Sequence, residues 1–144
     1  MRRQYTSTLN TAVSLALAVL AWLASAFSAQ AQNAGSPSSG FPFVSANTTN
    51  CTLISKGPHL LTGLMAGNSG SVAYVKFYDL AVAPTAGAGT PYPVMVPSDG
   101  VVDVGLPEPL KFVNGLGFCV TGEPANNDTT AVSSGQVTAT FLFQ

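Results

Sequence analysis

Few residues of this chain carry side chains that could act as acids, bases or nucleophiles. His59 is the only histidine, and a lone histidine cannot build the multi-residue zinc sites of metalloenzymes. It could serve a Ser-His-Asp arrangement only if the fold brought partners to it, and no G-x-S-x-G segment is present. Asp99 and Asp103 would share one face of a strand, as a catalytic carboxylate pair requires, but an Asp-Gly turn already explains Asp99. We therefore expect a protein that is not an enzyme.

One polar loop concentrates oxygen ligands. Residues 126–130 read Asn-Asn-Asp-Thr-Thr, and calcium binds carboxylate, amide and backbone oxygens. Asp128 is the single carboxylate, which compensates the cation poorly, and no EF-hand pattern surrounds it. Asx turns explain the loop without metal. The sequence predicts no cofactor and leaves calcium at this loop open.

Aromatic residues indicate a possible interaction surface. Tyr74 and Tyr78 are four residues apart on one predicted strand and so share a face, and Tyr92 follows in the next loop. Exposed aromatic side chains mark protein interfaces and could equally contact a sugar. Together with Leu142 on the last strand, they form the predicted contact surface. A second packed face under a loop explains the tyrosines equally well.

The first 31 residues have the pattern of a signal peptide. Arg2 and Arg3 precede an apolar run at 11–27, and Ala29-Gln30-Ala31 offers a cleavage site before Gln32. An uncleaved anchor is the alternative, but the run is short for a span of about 20 residues. The pattern predicts export through the periplasm to the cell surface or medium, with no stable membrane span. Residues 32–40 have the composition of a flexible lead-in, and 41–144 remain for one domain.

Charge excludes one class of partner. The chain after the leader contains three lysines, six carboxylates and no arginine, which gives a net charge of −3. Phosphate recognition depends on Arg and Lys clusters, so nucleic acid is not an expected partner.

The chain has two cysteines, Cys51 and Cys119, and export would place both outside the reducing cytosol. Such a pair is usually oxidised, although two free thiols are the alternative. Cys119 lies on the face of its strand opposite Leu116, Phe118 and Val120. A bridge would therefore lie on the outer face of a sheet or at its edge.

Alternating apolar residues predict strands throughout the mature chain. The period is clearest at 110–112, 116–120 and 137–143, where Val137, Ala139, Phe141 and Phe143 share a face. Earlier candidates are 41–44, 51–55, 59–66 with a bulge at Gly63, 71–80, and a hairpin of 94–96 with 101–104 across Asp99-Gly100. About eight short strands and no convincing helix predict a single all-β domain, a small β-sandwich or jelly roll.

Several short segments resemble a known group of proteins. The order KFYD at 76–79, APTAGAGTP at 83–91, GLGFCVTG at 115–122 and NNDTTAV at 126–132 resembles small β-sandwich proteins encoded by phages and prophages. The resemblance covers about residues 71–144. It implies a structural, particle-associated role with no active site to transfer, whereas the leader and the cysteine pair depart from that pattern.

These observations predict an exported, non-enzymatic structural or interaction module of a surface or extracellular, phage-like assembly. Its partner would be another copy of itself or another surface protein. A pilin-like fibre subunit is one alternative, favoured if residues 32–45 extend away from the body. A glycan-binding module is the other, favoured if Tyr74, Tyr78 and Tyr92 converge on one exposed face.

Overall fold

The computed structural model describes residues 38–144. The predicted signal peptide and residues 32–37 of the lead-in lie outside the described residues. The described part contains eight antiparallel strands and no helix, and therefore no helix with the length and hydrophobicity of a membrane span. The strands are β1 (Ser39–Val44), β2 (Thr52–Lys56), β3 (His59–Asn68), β4 (Ala73–Asp79), β5 (Tyr92–Val96), β6 (Gly100–Phe112), β7 (Gly115–Thr121) and β8 (Val137–Phe143).

The strands form two four-stranded sheets packed into a sandwich. Sheet A has the order β1-β8-β3-β6, and sheet B has the order β2-β7-β4-β5. The first strand pairs with the last, the second with the seventh, the third with the sixth and the fourth with the fifth. This nested pairing resembles one long hairpin whose strand pairs alternate between the sheets, which is the eight-stranded jelly roll. The predicted all-β fold class is confirmed.

The core lies between the sheets and is built from the alternating residues of both. Phe118 of β7 and Phe141 of β8 are fully buried, with ring centroids 4.4 Å apart. Phe41 and Phe43 of β1 reach the same cluster, at centroid distances of 5.0–6.3 Å from those two rings. The predicted inward faces of β7 and β8 are therefore confirmed.

The predicted hairpin across Asp99-Gly100 is wrong. β5 pairs with β4 in sheet B, whereas β6 pairs with β3 in sheet A. Asp99 does adopt the positive φ, 47°, that such a turn needs, and its N–H donates to the carbonyl of Gly70. The local chemistry thus makes a turn, but the turn carries the chain from one sheet to the other.

Strand boundaries differ from prediction where prolines and glycines occur. β1 begins at Ser39, two residues before the predicted start. The segment 106–109, predicted as a stiff link, lies inside the continuous strand β6. Its prolines are tolerated because β6 is an edge strand, where one side needs no partner. The predicted bulge in β3 is confirmed by a register shift between Leu61 and Gly63.

Candidate functional site

The outer faces of the two sheets differ in what covers them. In sheet A the residues that alternate with the core face point away from the sandwich. No described segment folds over this surface, which we call the open face. Its residues are Gly40, Pro42, Val44, Gly63, Met65, Gly67, Val101, Asp103, Gly105, Thr138, Thr140 and Leu142.

The open face is apolar, shallow and almost uncharged. Val44, Met65 and Val101 are 66%, 50% and 82% exposed, high values for large apolar side chains. Gly67 forms a floor between Val101 and Thr138: a Cβ there would lie 3.4 Å from Thr138 Oγ1 and 3.9 Å from Val101 Cγ1. A recess of about 390 Å³ follows this floor along β3. Asp103 is the one charged residue among the residues named above, and Lys111 lies on the same side of sheet A beyond the bulge, where it pairs with Leu60. The named part of the face could therefore be dehydrated at low cost.

Two loops of the chain cover the outer face of sheet B over β4 and β7, whereas Met95 on the edge strand β5 stays 55% exposed. The loop at 80–91 and the loop at 122–136 both lie against this face. A Cβ on Gly117 would lie 2.9 Å from Pro84 Cδ, and one on Gly87 would lie 2.9 Å from Thr129 Cγ2. Gly87 has a φ of +82°, which only glycine adopts freely. The two loops therefore contact both the sheet and each other.

Lys76 holds the loop at 122–136 against sheet B. Its side chain is fully buried, and Nζ donates to the carbonyl of Ala125 at 2.6 Å and lies 3.9 Å from Asp128 Oδ2. Burial lowers the pKa of Lys76, and the charge of Asp128 opposes that change in part. The paired ammonium is thus a structural anchor beneath the loop.

Asp128 is held by hydrogen bonds from its own loop. Oδ1 accepts hydrogen bonds from the Thr130 N–H and hydroxyl at 2.9 and 2.6 Å, and Oδ2 accepts one from the Glu123 N–H at 2.9 Å. Burial raises its pKa, but the hydrogen bonds from Thr130 and Glu123 together outweigh burial and lower the pKa to about 2. Both oxygens therefore face protein donors. No group of three or more metal-ligating side chains occurs in residues 38–144.

Asp79, the last residue of the KFYD segment, caps the turn between β6 and β7. Its Oδ1 accepts from the N–H groups of Val113, Asn114 and Gly115, at 3.0, 2.6 and 3.2 Å. These bonds, the one from Asn114 foremost, lower the pKa of Asp79. We did not single out Asp79 from the sequence, although a carboxylate directly after a strand is a signal for backbone capping.

The predicted contact residues do not form one surface. Tyr74 and Tyr78 point to the covered side of sheet B, and Leu142 lies on the open face of sheet A. Tyr92 pairs with Phe77 and therefore points to the core side of β5, where its ring lies 6.3 Å from that of Phe112. Tyr78 was expected to be exposed, but it is 3% exposed because the loop at 80–91 covers it.

Tyr78 and Tyr92 nevertheless line one recess of about 430 Å³, beside the end of β4. The other lining residues come from Asp79 and from the loop at 80–91. They are Leu80, Val82, Ala83, Thr85, Ala88, Gly89 and Thr90. The Tyr78 hydroxyl is buried and has no hydrogen-bond partner among the described residues. Burial raises the pKa of this phenol. An unsatisfied buried hydroxyl costs about 1–3 kcal/mol of folding stability.

The remaining candidate catalytic residues occupy structural positions. His59 Nδ1 lies 3.2 Å from the carbonyl oxygen of Gln144, and Nε2 lies 3.1 Å from that of Lys56, so both ring nitrogens face the backbone. Asp99 lies in the turn before β6, and Asp103 lies on the open face; both are exposed. The structure brings none of the three into hydrogen-bond contact with another.

The predicted disulfide is confirmed. Cys51 precedes the edge strand β2, and Cys119 lies on the covered side of β7, with Cα atoms 4.0 Å apart. This is the outer-face, sheet-edge position that the alternation of β7 predicts. A disulfide is compatible with an oxidising, extracellular compartment.

Comparison of the chain with protein-family models, curated proteins and solved structures finds no match. The open face and the recess are therefore the features from which a function can be argued. Met65 and Val101 were not singled out from the sequence. Their outward position follows from alternation, but the absence of a covering segment does not.

Proposed function

We propose that this protein is an exported, non-enzymatic structural module that works by contact, and that the open face joins it to another copy in an extracellular assembly. The observation that carries the proposal is the uncovered apolar face of sheet A. Contiguous exposed apolar surface on a soluble domain marks interaction sites. Val101 at 82% exposure and Met65 at 50% lie next to the glycine floor and supply its apolar contact area.

The edges of the sandwich are poor alternatives for self-association. Pro42 lies in edge strand β1, Pro93 in β5, and Pro107 and Pro109 in β6. Proline removes a backbone donor and blunts an edge against pairing with another chain. The fourth edge strand, β2, is five residues long and has an irregular register. Face-to-face packing is therefore favoured over edge-to-edge addition.

The size of the open face sets the strength of the contact. Four strands about 4.8 Å apart and about 20 Å long present roughly 400 Å² per copy. Two such faces bury roughly 800 Å², below the 1,200–2,000 Å² of standard interfaces. We therefore expect weak pairing of two copies, strengthened where several copies are held together.

The charge of Asp103 is compatible with this packing. A two-fold axis parallel to the strands would place β6 of one copy over β1 of the other. Asp103 would then face Gly40, Pro42 and Val44, which carry no charge, rather than a second Asp103. Two carboxylates need not be buried together, so the repulsion that would oppose association is avoided.

Export and a phage-like origin remain parts of the proposal. The leader pattern supports export, and the disulfide is compatible with it. Jelly rolls occur in viral capsid proteins and in lectins. This is an analogy at the level of the fold, which supports a structural role without assigning one.

The pilin-like alternative loses the feature that would favour it. In the described part of the predicted 32–45 segment, β1 pairs along its length with β8. Ser45 then anchors the end of β1: its N–H donates to the carbonyl of Val137, and its Oγ donates to that of Ser133. The glycan alternative, as predicted, also loses its support, because the three tyrosines do not converge on one exposed face.

Light scattering of the cleaved, oxidised protein over a wide concentration range tests the proposal. We expect the average mass to rise above that of a monomer with concentration. Replacing both Met65 and Val101 with Lys should abolish the rise, because each copy would then have to bury two ammonium groups against uncharged residues of the other. Lysine at exposed Met95 on the other sheet is the matched control and should leave the rise unchanged. A monomer mass throughout would refute self-association.

A further inference from the structure

Two sequence segments that the proposed function does not use meet at the recess beside the end of β4. Tyr78 and Asp79 belong to the KFYD segment, and Thr85 and Thr90 belong to the loop at 80–91. Glycines shape this loop: Gly87 and Gly89 both have a positive φ, of 82° and 73°. The loop therefore turns back over the strand end and closes one side of the recess.

The recess combines one exposed aromatic residue with several polar side chains. Tyr92 lines the recess and is 53% exposed. Thr85 and Thr90 line the recess and are exposed, so they can contact a ligand there, whereas the hydroxyl of Tyr78 is buried and cannot. Asp79 accepts its three backbone hydrogen bonds through Oδ1.

We propose that this recess binds a single neutral hexopyranose, as a free sugar or as the end of a glycan. A pyranose presents an apolar C–H face, which suits the ring of Tyr92, and a rim of hydroxyl groups, which suit threonine hydroxyls and a carboxylate oxygen. The volume of about 430 Å³ lies within the range of small-ligand pockets. This site is independent of the open face, which lies on the other sheet.

Charge narrows the ligand class. Asp79 is the single charged residue that lines the recess, and no lysine lines it. Lys76 is held beneath the other loop by Ala125 and Asp128. Sialic acid, uronic acids and sugar phosphates would bring a second negative charge next to Asp79 without a cation to pair with it. The recess therefore selects neutral sugars.

Saturation-transfer NMR of the mature, oxidised protein tests the proposal with methyl glucoside, methyl galactoside and N-acetylglucosamine as probes. Sialic acid is the anionic comparison. For a ligand of this size we expect a Kd of about millimolar for at least one neutral probe and much weaker transfer to sialic acid. Amide shifts should be confined to β4, β5 and the loop at 80–91.

Matched variants locate the site. Tyr92→Ala should weaken binding by about tenfold, whereas Met95→Ala, on the same strand and equally exposed at 55%, should not change it. Thr90→Val should weaken binding by about fivefold, whereas Thr138→Val on the open face should not. The proposal is overturned if no neutral probe shows transfer at about 50 mM, if sialic acid binds as well, or if the control variants weaken binding equally. Light scattering is read separately, so failure here leaves self-association untouched.

Discussion

Replacing Phe141 with Ala should be among the most damaging substitutions in the domain. The side chain is fully buried, and its ring centroid lies 4.4 Å from that of Phe118, 5.7 Å from that of Phe77, and 6.3 Å from those of Phe41 and Phe43. Truncating a buried Phe to Ala costs about 3–5 kcal/mol. Aromatic pairs add to simple burial, so we expect about 4–5 kcal/mol. That is a large part of the 5–15 kcal/mol typical of a domain.

Urea unfolding of the oxidised protein measures this cost from the midpoint, provided the slope is unchanged. Phe143→Ala is the matched control: it lies on the same strand and face but is only partly buried, so we expect about 1–2 kcal/mol. If the Ala variant does not fold, Phe141→Leu should still fold, at a cost of about 1–2 kcal/mol. A cost for Phe141→Ala no larger than that for Phe143→Ala would refute the assignment of Phe141 to the centre of the core.

Four further outcomes are expected. The Cys51–Cys119 bridge, with a sequence separation of 68, should add about 4 kcal/mol to the free energy of unfolding in the chain-entropy model. Urea unfolding of a variant with both cysteines replaced by Ser measures this contribution. Two free thiols in the unreduced, denatured protein would contradict the bridge. Because the pKa of Asp128 is lowered to about 2 from an ordinary value of 3.8, its charge should stabilise the fold fully above about pH 4.5 and progressively less as the pH falls towards 2. Solvent screening limits this contribution to about 1–2 kcal/mol, and an Asn variant should show a shallower acid dependence. Tyr78→Phe should raise stability by about 1 kcal/mol, because it removes a buried hydroxyl without a partner; a loss of stability would show that the hydroxyl is satisfied. Intact-mass analysis of the exported protein should give a chain that begins at Gln32, and retention of the leader would contradict cleavage.

The inward faces could be predicted from the sequence because they depend on local alternation. Phe118 and Phe141 each occupy the apolar side of a period-2 run, and both are fully buried. The position of the disulfide followed from the same alternation. The bulge in β3 was also predictable, because an isolated Gly63 weakens a strand locally.

Strand partners and outer-face burial could not be predicted in this way. The Asp99 turn was recognised from its chemistry, but the pairing of β5 with β4 depends on contacts along the whole nested chain. Lys76 and Tyr78 alternate like solvent-facing residues, and only the folding of the loops at 80–91 and 122–136 over sheet B buries them. For the same reason, alternation placed Met65 outward but could not show that its face stays uncovered.

The proposed role of the open face is tested most directly by an NMR dilution series of the mature, oxidised protein. If copies associate through sheet A, amide shifts at Met65, Val101, Thr138 and Thr140 should change progressively with concentration, while those of Lys76 and Asp128 on the covered side of sheet B stay constant. Shifts independent of concentration at the open face, or changes confined to sheet B, would contradict the proposal that copies associate through sheet A.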